Sequence, residues 1–573
     1  MNRKIWKALG IVVCMLALAA PHAMAETITH MVTADTHFAD VVKNINASGV
    51  DDENVIELCA DITLTGNHTL KRSTTIKSKD EDRKISMNGS NAGITVTGEK
   101  TVLNLGAKGY DKKLTIEGDG DARIQAAFVT VSEGATANMY ENVTLQNRKS
   151  TGNACIVIMG SKSVFNMRGG VTENCSRAVI ADSGATFHMF DGEIKDCKVY
   201  GNGVILVYDN SKFIMEGGTI SECEAPINNG GGLYADNSTI TISGGTISGC
   251  KGVWGGGLYA ENSSTITISG GAISGCTVGA GGGLFVDSST VRISGGIISG
   301  CITSDTGNGG GLYANHSTIK ITGGRIENNK AAHGGGVALI GKTTFEKPIT
   351  NWTVIGNEAY ATGGVGGGIK LENGSMDVSA GSNRIYNNTA GGQGADVFLY
   401  NGNTSIKLPN AANMNATYRD SGIEIDGWYN DNPRYTPSEN GVGVDVSGEL
   451  TGGLSLVASY KTILVRIEID KNGGVGGSGS QTVQKGKSVI LEAPTKEGHL
   501  FTGWKDEKGN SYPAGADGKV NITVTEDMTL TAEWEKLPSA ENLPKTGDES
   551  PVLLWSAVLA VSAAAGFMLK RKK

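Results

Sequence analysis

The chain has 573 residues, a formal net charge of −8, 19% charged residues, and 83 glycines against 11 prolines. That length leaves room for several domains, and an acidic balance with no basic run outside the two chain ends argues against nucleic acid as a partner. So much glycine without a collagen triplet asks for a repeat architecture.

At the N-terminus Arg3, Lys4 and Lys7 precede an apolar stretch from Ala8 to Ala20, too short to cross a bilayer, followed by Ala23-Met24-Ala25. This reads as a secretory signal peptide over residues 1–25, with cleavage after Ala25. The mature chain then works outside the cell, where intracellular nucleotide cofactors have no place. Thr36 to Ala47 has helical spacing (Phe38, Val41, Val42, Ile45) and strand-like segments follow at Val55 to Leu58 and Ile62 to Leu64. Residues 26–100 are therefore expected to form a helical cap and the first coils of a solenoid, whose end strands need cover.

The repeat emerges when the cysteines are aligned. Cys175, Cys197, Cys223, Cys250, Cys276 and Cys301 lie 22, 26, 27, 26 and 25 residues apart, each five positions after a glycine. The same register places Asn147 before this series and Asn329, Asn357 and Asn388 after it, so one slot takes Cys or Asn over about ten turns. One unit shows three short segments, Gly255 to Ala260, Ser264 to Gly271 and Ala272 to Cys276, separated by Gly or Asx turns. Thr265-Ile266-Thr267-Ile268 alternates as a pleated strand does. Strands this brief cannot form hairpins with a core of their own. The solution is an all-β fold, a right-handed parallel β-helix with three short strands per coil over residues 101–400, each coil pairing with its copies above and below. Leu233, Leu258, Leu284 and Leu312 then stack inside, as do Ile242, Ile268 and Ile293.

Ile326-Glu327-Asn328-Asn329-Lys330-Ala331 followed by Gly334-Gly335-Gly336-Val337 resembles the repeats of polymorphic outer membrane protein-type, pectin-lyase-like β-helices. The resemblance covers roughly residues 36–400 and implies the fold. Polysaccharide lyases, hydrolases and non-catalytic adhesins all use it, so it leaves the activity open.

Chemistry on such a rod has to come from columns of side chains. Asp182, Asp236, Glu261, Asp287 and Glu372 form a vertical row beside a turn. Stacked carboxylates such as Asp236, Glu261 and Asp287 can supply hard oxygens to calcium, or they are turn formers bonded to their own backbone, which is the reading adopted. The cysteine column permits cross-coil disulfides by distance, but a slot shared with Asn points to a small buried position and mostly unpaired thiols. The histidines share no register and match no Ser/His/Asp or His/Glu pattern, so no catalytic residue is assigned. Tyr234, Tyr259, Phe285 and Tyr313 follow the stacked leucines and are expected to face outward, as a stripe for sugar rings or protein surfaces or as a stack stabilising the sheet. The least regular coils, near 100–160 and 340–365, are where an enzyme site belongs if there is one.

A β-rich transition over 401–462 leads to a module over 463–535. There Pro494-Thr495-Lys496-Glu497-Gly498-His499-Leu500-Phe501-Thr502-Gly503-Trp504 and Thr529-Leu530-Thr531-Ala532-Glu533-Trp534 resemble the Listeria-Bacteroides, or internalin B-repeat, family. That implies a small β-grasp-like spacer with Phe501, Trp504 and Trp534 in its core. After a linker at 536–542, residues 543–573 carry Leu543-Pro544-Lys545-Thr546-Gly547, an apolar span over 552–569 and the tail Lys570-Arg571-Lys572-Lys573. The span suits a bilayer and the cations its cytoplasmic side. The order resembles the LPxTG substrates of sortase, which implies cleavage between Thr546 and Gly547 and transfer to a peptidoglycan precursor. The expected whole is a wall-anchored adhesin that binds a glycan or protein ligand on host or neighbouring cells. The rival is a wall-tethered polysaccharide lyase or glycoside hydrolase.

Overall fold

The alternation read from the sequence becomes in-register parallel pairing between consecutive coils. The computed structural model of the protein describes residues 27–537, apart from 50–51, 119–125, 150–153, 382, 401–403, 410–422, 431–449 and 452–453. The leader over 1–25 and the apolar span over 552–569 lie outside the described residues, among which no helix is long and apolar enough to cross a membrane.

One coil runs through Leu258–Glu261, Thr265–Ile268, Ala272–Ser274 and Thr277–Val278. Its partners in the next coil fall in strict register, Leu258 on Leu284, Thr265 on Thr290, Ala272 on Ile297 and Thr277 on Ile302. Repetition gives sheets of 24, 15 and 7 strands running along the solenoid. Thirteen coils contribute to the 15-stranded sheet, so at ~4.8 Å per coil the rod is about 60 Å long. The third face differs from expectation. Thr265–Ile268 and Ala272–Ser274 belong to one sheet, bent at Gly270-Gly271, with Gly271 at φ +73°. The third sheet is made instead by the two residues that follow Cys223, Cys250, Cys276, Cys301, Asn329, Asn357 and Asn388, such as Thr277–Val278.

The core lies inside the coils. Leu233, Leu258, Leu284 and Leu312 are fully buried and Ile242, Ile268 and Ile293 nearly so, each such side chain contributing roughly 1.5–3 kcal/mol of burial. Phe165, Phe187 and Phe213 stack on successive coils with centroids 6.1 and 5.5 Å apart.

The cysteine slot has a structural definition: the residue before it takes a left-handed conformation. Asn174, Asp196, Glu222, Gly249, Gly275, Gly300, Asn328, Gly356 and Asn387 all have φ between 49° and 65°. By this rule Asn147 (φ 62°) is the left-handed residue and Arg148 fills the slot, one position later than the sequence reading placed it. The Arg148 carbonyl accepts from Ser176 N at 2.6 Å, as the Cys175 carbonyl does from Lys198 N at 2.9 Å. Beyond Cys301 the slot becomes an amide ladder. Both the N–H and Nδ2 of Asn329 donate to Asn357 Oδ1 at 3.0 Å, and those of Asn357 to Asn388 Oδ1 at 2.9 Å. Asn388 donates likewise to Asp396 Oδ1 at 3.1 and 2.8 Å, and Asp396 Oδ2 accepts from Ala458 N at 2.7 Å.

Both ends of the solenoid are covered. The helix Phe38–Ala47 buries Phe38, Val41, Val42 and Ile45 at the first coils, and Asn46 clasps the backbone of Thr69 and Lys71 at 2.8 Å. At the far end the chain returns antiparallel, Leu456 pairing with Val397 and Leu450 with Ile406. Trp428 is buried there and donates to Pro409 O at 2.8 Å.

A second unit begins at Thr462. Leu464–Asp470, Gln481–Gln484, His499–Asp506, Ser511–Pro513 and Met528–Lys536 make a five-stranded sheet, in which Leu464–Asp470 and Met528–Lys536 run parallel. Ser488–Glu492 and Lys519–Thr523 form a separate ribbon. Trp504 is fully buried in its core, with Phe501 and Trp534 packed against it half-buried.

Replacing Asn357 with Leu strands two buried donors on Asn329 and is expected to lower unfolding free energy by about 2–4 kcal/mol, at ~1–3 kcal/mol per orphaned group. Asn357→Cys, the residue the slot uses elsewhere, is expected to lose less. Urea unfolding distinguishes them, and equal losses would remove the ladder as the explanation.

Candidate functional site

The aromatic column forms as expected but is not exposed. Tyr234, Tyr259 and Phe285 are only 6, 3 and 8% accessible, and Tyr313 is half-buried. Their rings stack at 5.3, 5.0 and 4.4 Å between centroids. Strand alternation does turn them away from the coil interior, but the turn that opens each coil folds back over them. A Cβ at Gly281 (φ +61°) would sit 2.8 Å from Phe285 Cβ, so only glycine lets that turn lie so close. Trp254 adds a further layer, its ring parallel to Phe285 at 5.6 Å. The faces of Tyr234, Tyr259 and Phe285 are thus turned to neighbouring rings and covered by the turn rather than presented to solvent.

The acid row belongs to the same network. Glu261 accepts the Tyr234 hydroxyl on one carboxylate oxygen and the Tyr259 hydroxyl, at 3.0 Å, on the other. Asp236 accepts from Asn262 Nδ2 at 2.8 Å and Asp287 from Asn315 Nδ2 at 3.0 Å. Asp236 and Asp287 are thus each held by an amide from the next coil, and Glu261 by phenols of its own coil and the coil before it. Among the described residues no three His, Cys, Asp or Glu side chains gather around one point. The phenols respond to this setting: burial first, then the neighbouring carboxylates, push Tyr234 and Tyr259 well above the usual range and Tyr208, beside Asp182, up to about 12.

Two exposed features involve none of the candidate residues read from the sequence, although the first centres on the irregular stretch 340–365 where a site was expected if there is one. One is a groove of about 830 Å³ lined by His316, Lys342, Phe345, Lys347, Asn373 and Ser375 among others, none of the lining residues being acidic. It arises in the irregular coil near 340. There the strand of the long sheet shortens to Thr344–Phe345, and the strand at the next level, Gly374–Asp377, belongs to a separate three-stranded sheet. Cations crowd this seam: Arg292 and Lys320 both contact Glu346, at 3.3 and 3.5 Å, and Lys347 lies 3.8 Å from Asp377. The other feature is a ridge beside the third sheet. Tyr200 is 63% and Trp254 44% exposed, with Ile227 and Val253 between them on consecutive coils. Hydrogen bonds from Asn228 Nδ2 to Tyr200 O (3.2 Å) and from Val253 N to Asn228 O (2.8 Å) hold these loops in line. The ridge had a sequence signal, since its members follow Cys197, Cys223 and Cys250 by three or four positions.

The histidines stay apart. His188 meets Glu216 at 3.0 Å, His333 accepts from Val365 N at 3.2 Å, and His316 faces the groove. The sorting motif Leu543 to Gly547 and the cleavage residues Ala23 and Ala25 lie outside the described residues.

Comparison with known families agrees with this architecture. Residues 179–354 match the right handed beta helix region, residues 463–538 the divergent InlB B-repeat domain, and residues 538–573 the LPXTG cell wall anchor motif. No curated protein and no solved structure matches the chain. Fold and C-terminal signal together define a β-helical protein of the bacterial cell surface. More closely, it is a sortase substrate of a Gram-positive bacterium, covalently attached to the peptidoglycan of the cell wall.

Two outcomes are expected. Because the native network favours the protonated phenol, the folded chain keeps its tyrosine protons to higher pH than the unfolded one; stability should be intact below pH ~10 and fall as pH rises past it. Urea midpoints at pH 9 and 11 measure this, and Tyr208→Phe with Tyr259→Phe should flatten the fall. Separately, Thr546→Ala should shift the protein from the wall fraction to the membrane and medium while secretion continues, read by fractionation and blotting.

Proposed function

We propose that the protein is an adhesin whose β-helix holds glycan ligands at the cell surface. The observation that carries this reading is the seam groove: an open trough with cationic and amide groups and one half-buried aromatic, Phe345, suited to hydroxyls, carboxylates and a sugar face. Glycoside hydrolysis by the usual route needs two carboxyl groups facing one bond. The lining of the groove supplies none, and Glu346 and Asp377 beside it are engaged by cations. The ridge from Tyr200 to Trp254 offers a second contact surface of rigid rings with amides between them.

One observation favours the rival reading in its lyase form. Lys342 and Lys347 line the trough, where their charges can pair with a uronate carboxylate, and elimination needs no second acid.

The test incubates the secreted chain from Glu26 to Asn542 with plant, mucin and microbial polysaccharides, scoring retained binding and new chain ends. Binding without new ends is expected, weakened about tenfold for acidic glycans by Lys342→Ala with Lys347→Ala. New unsaturated ends would establish the lyase, and the absence of both binding and cleavage would overturn the glycan reading in favour of a protein ligand.

A further inference from the structure

The cysteine column contains one thiol that does not belong to it. Cys155 lies one residue before the strand Ile156–Met159, a position that is Ala178, Val204, Gly232, Gly257, Gly283 and Gly311 in later coils. Geometry in the glycine coils shows where this position points. A Cβ built on Gly232, Gly257 or Gly283 would stand 3.2, 3.5 or 3.4 Å from the sulfur of Cys250, Cys276 or Cys301, the slot residue that ends the same coil. A side chain here therefore aims across the coil at the slot, and in Cys155 the side chain is a thiol. Its Sγ is 2.7 Å from Cys175 Sγ, inside the contact distance of two unbonded sulfurs, and both residues are sealed from solvent.

We propose that the mature protein carries a single disulfide, Cys155–Cys175, which closes one turn of the β-helix into a covalent ring. The other thiols have a different fate. Cys197, Cys223, Cys250, Cys276 and Cys301 each direct Sγ to the carbonyl two residues back, at 3.3–3.4 Å. They have no thiol aimed at them across their own coil, because that position is Ala, Val or Gly. Cys175 makes the same carbonyl contact, to Glu173 O at 3.2 Å, and faces Cys155 as well.

Arg148 is the charged neighbour of the pair in the closed coil. It occupies the slot one coil earlier, fully buried, its guanidinium donating to Ala126 O at 2.9 Å. Burial alone pushes both thiols up, and Cys155 stays high. At Cys175 the Cys155 S–H and the Arg148 cation oppose burial and favour the thiolate. The exchange itself takes place while the coil is still open, and its nucleophile is the thiolate form of Cys175 in that accessible segment. It attacks the disulfide of an extracytoplasmic thiol oxidant, forming a mixed disulfide. Cys155, losing its proton, then attacks the Cys175 sulfur and expels the oxidant's thiolate. Two S–H bonds break and one S–S bond forms, while the oxidant takes two electrons and two protons to become a dithiol. Since both sulfurs are buried in the folded coil, the exchange precedes closure of that coil during folding after export.

The test uses the full chain secreted by a Gram-positive host. The protein is denatured without reductant in the presence of iodoacetamide, digested with trypsin and analysed by mass spectrometry. Lys162 and Arg168 separate the two cysteines, so the bond joins the peptides Ser150–Lys162 and Gly169–Arg177. The expected result is that linked pair, with carbamidomethyl groups on Cys59, Cys197, Cys223, Cys250, Cys276 and Cys301, and alkylation of Cys155 and Cys175 appearing only after reduction. In Cys155→Ser, which retains a small side chain, Cys175 should become alkylated without reductant. Full alkylation of the wild-type cysteines without reductant would overturn the proposal, as would a bond from Cys175 to Cys197 in either protein.

Discussion

Everything in the rod follows from one constraint: a side chain in a parallel β-helix sits directly under and over the side chain at the same position of its neighbours. At ~4.8 Å spacing, like must tolerate like. Apolar residues meet this easily inside the coil. Aromatic rings meet it by stacking, as Phe187 and Phe213 do inside and Tyr259 and Phe285 outside. Charges meet it by alternating, as Lys198, Glu224 and Lys251 do beside the third sheet at 2.9 and 3.2 Å, or by sharing partners, as the stacked Asp236 and Glu261 do with phenols and amides. Amides meet it best, because each is donor and acceptor at once. The slot after each left-handed residue is therefore filled by small thiols or by asparagines, and a cation such as Arg148 enters only where the backbone offers a carbonyl to hold it.

That constraint explains how much could be read without coordinates. Repetition makes stacked positions visible in one dimension, so the leucine, isoleucine, cysteine and asparagine columns were all legible from spacing. Residue type misleads at position 147, where an Asn suits the column, whereas the left-handed backbone that defines the slot falls on Asn147 itself and puts the less suggestive Arg148 in the column. The aromatic column failed in another way. Period-2 alternation tells which side of a strand a residue faces, but not whether a glycine turn from the same coil will close over that side. The groove was still less accessible, since it exists because one sheet gives way to another between Thr344–Phe345 and Gly374–Asp377, a change of pairing between coils. Only the irregularity of residues 340–365 announced it.

Two readings that seemed separate have merged. The acid row and the aromatic column were alternatives for calcium and for ligand contact, yet Glu261 receives the hydroxyls of Tyr234 and Tyr259 on its two oxygens. The repeat thus builds an internal seam of phenols and carboxylates under its turns. Surface variation is left to loops that the stacking does not restrict, the ridge at Tyr200 to Trp254 and the trough at Lys342, which is where recognition can differ without disturbing the frame.

The amide ladder has a direction. Each rung gives its N–H and one Nδ2 hydrogen to the side-chain oxygen of the next rung, its Nδ2 also donating back to a carbonyl of the coil before (Ile298, Ile326, Val354), so the side-chain series has to finish on a group that only accepts, and Asp396 is that group. Its second oxygen anchors the returning strand through Ala458. A terminus of this kind is indifferent to how many rungs precede it. Such a rod can lengthen or shorten by whole coils from its middle, keeping one fixed stopper, and its reach becomes a quantity that duplication of a single repeat can set.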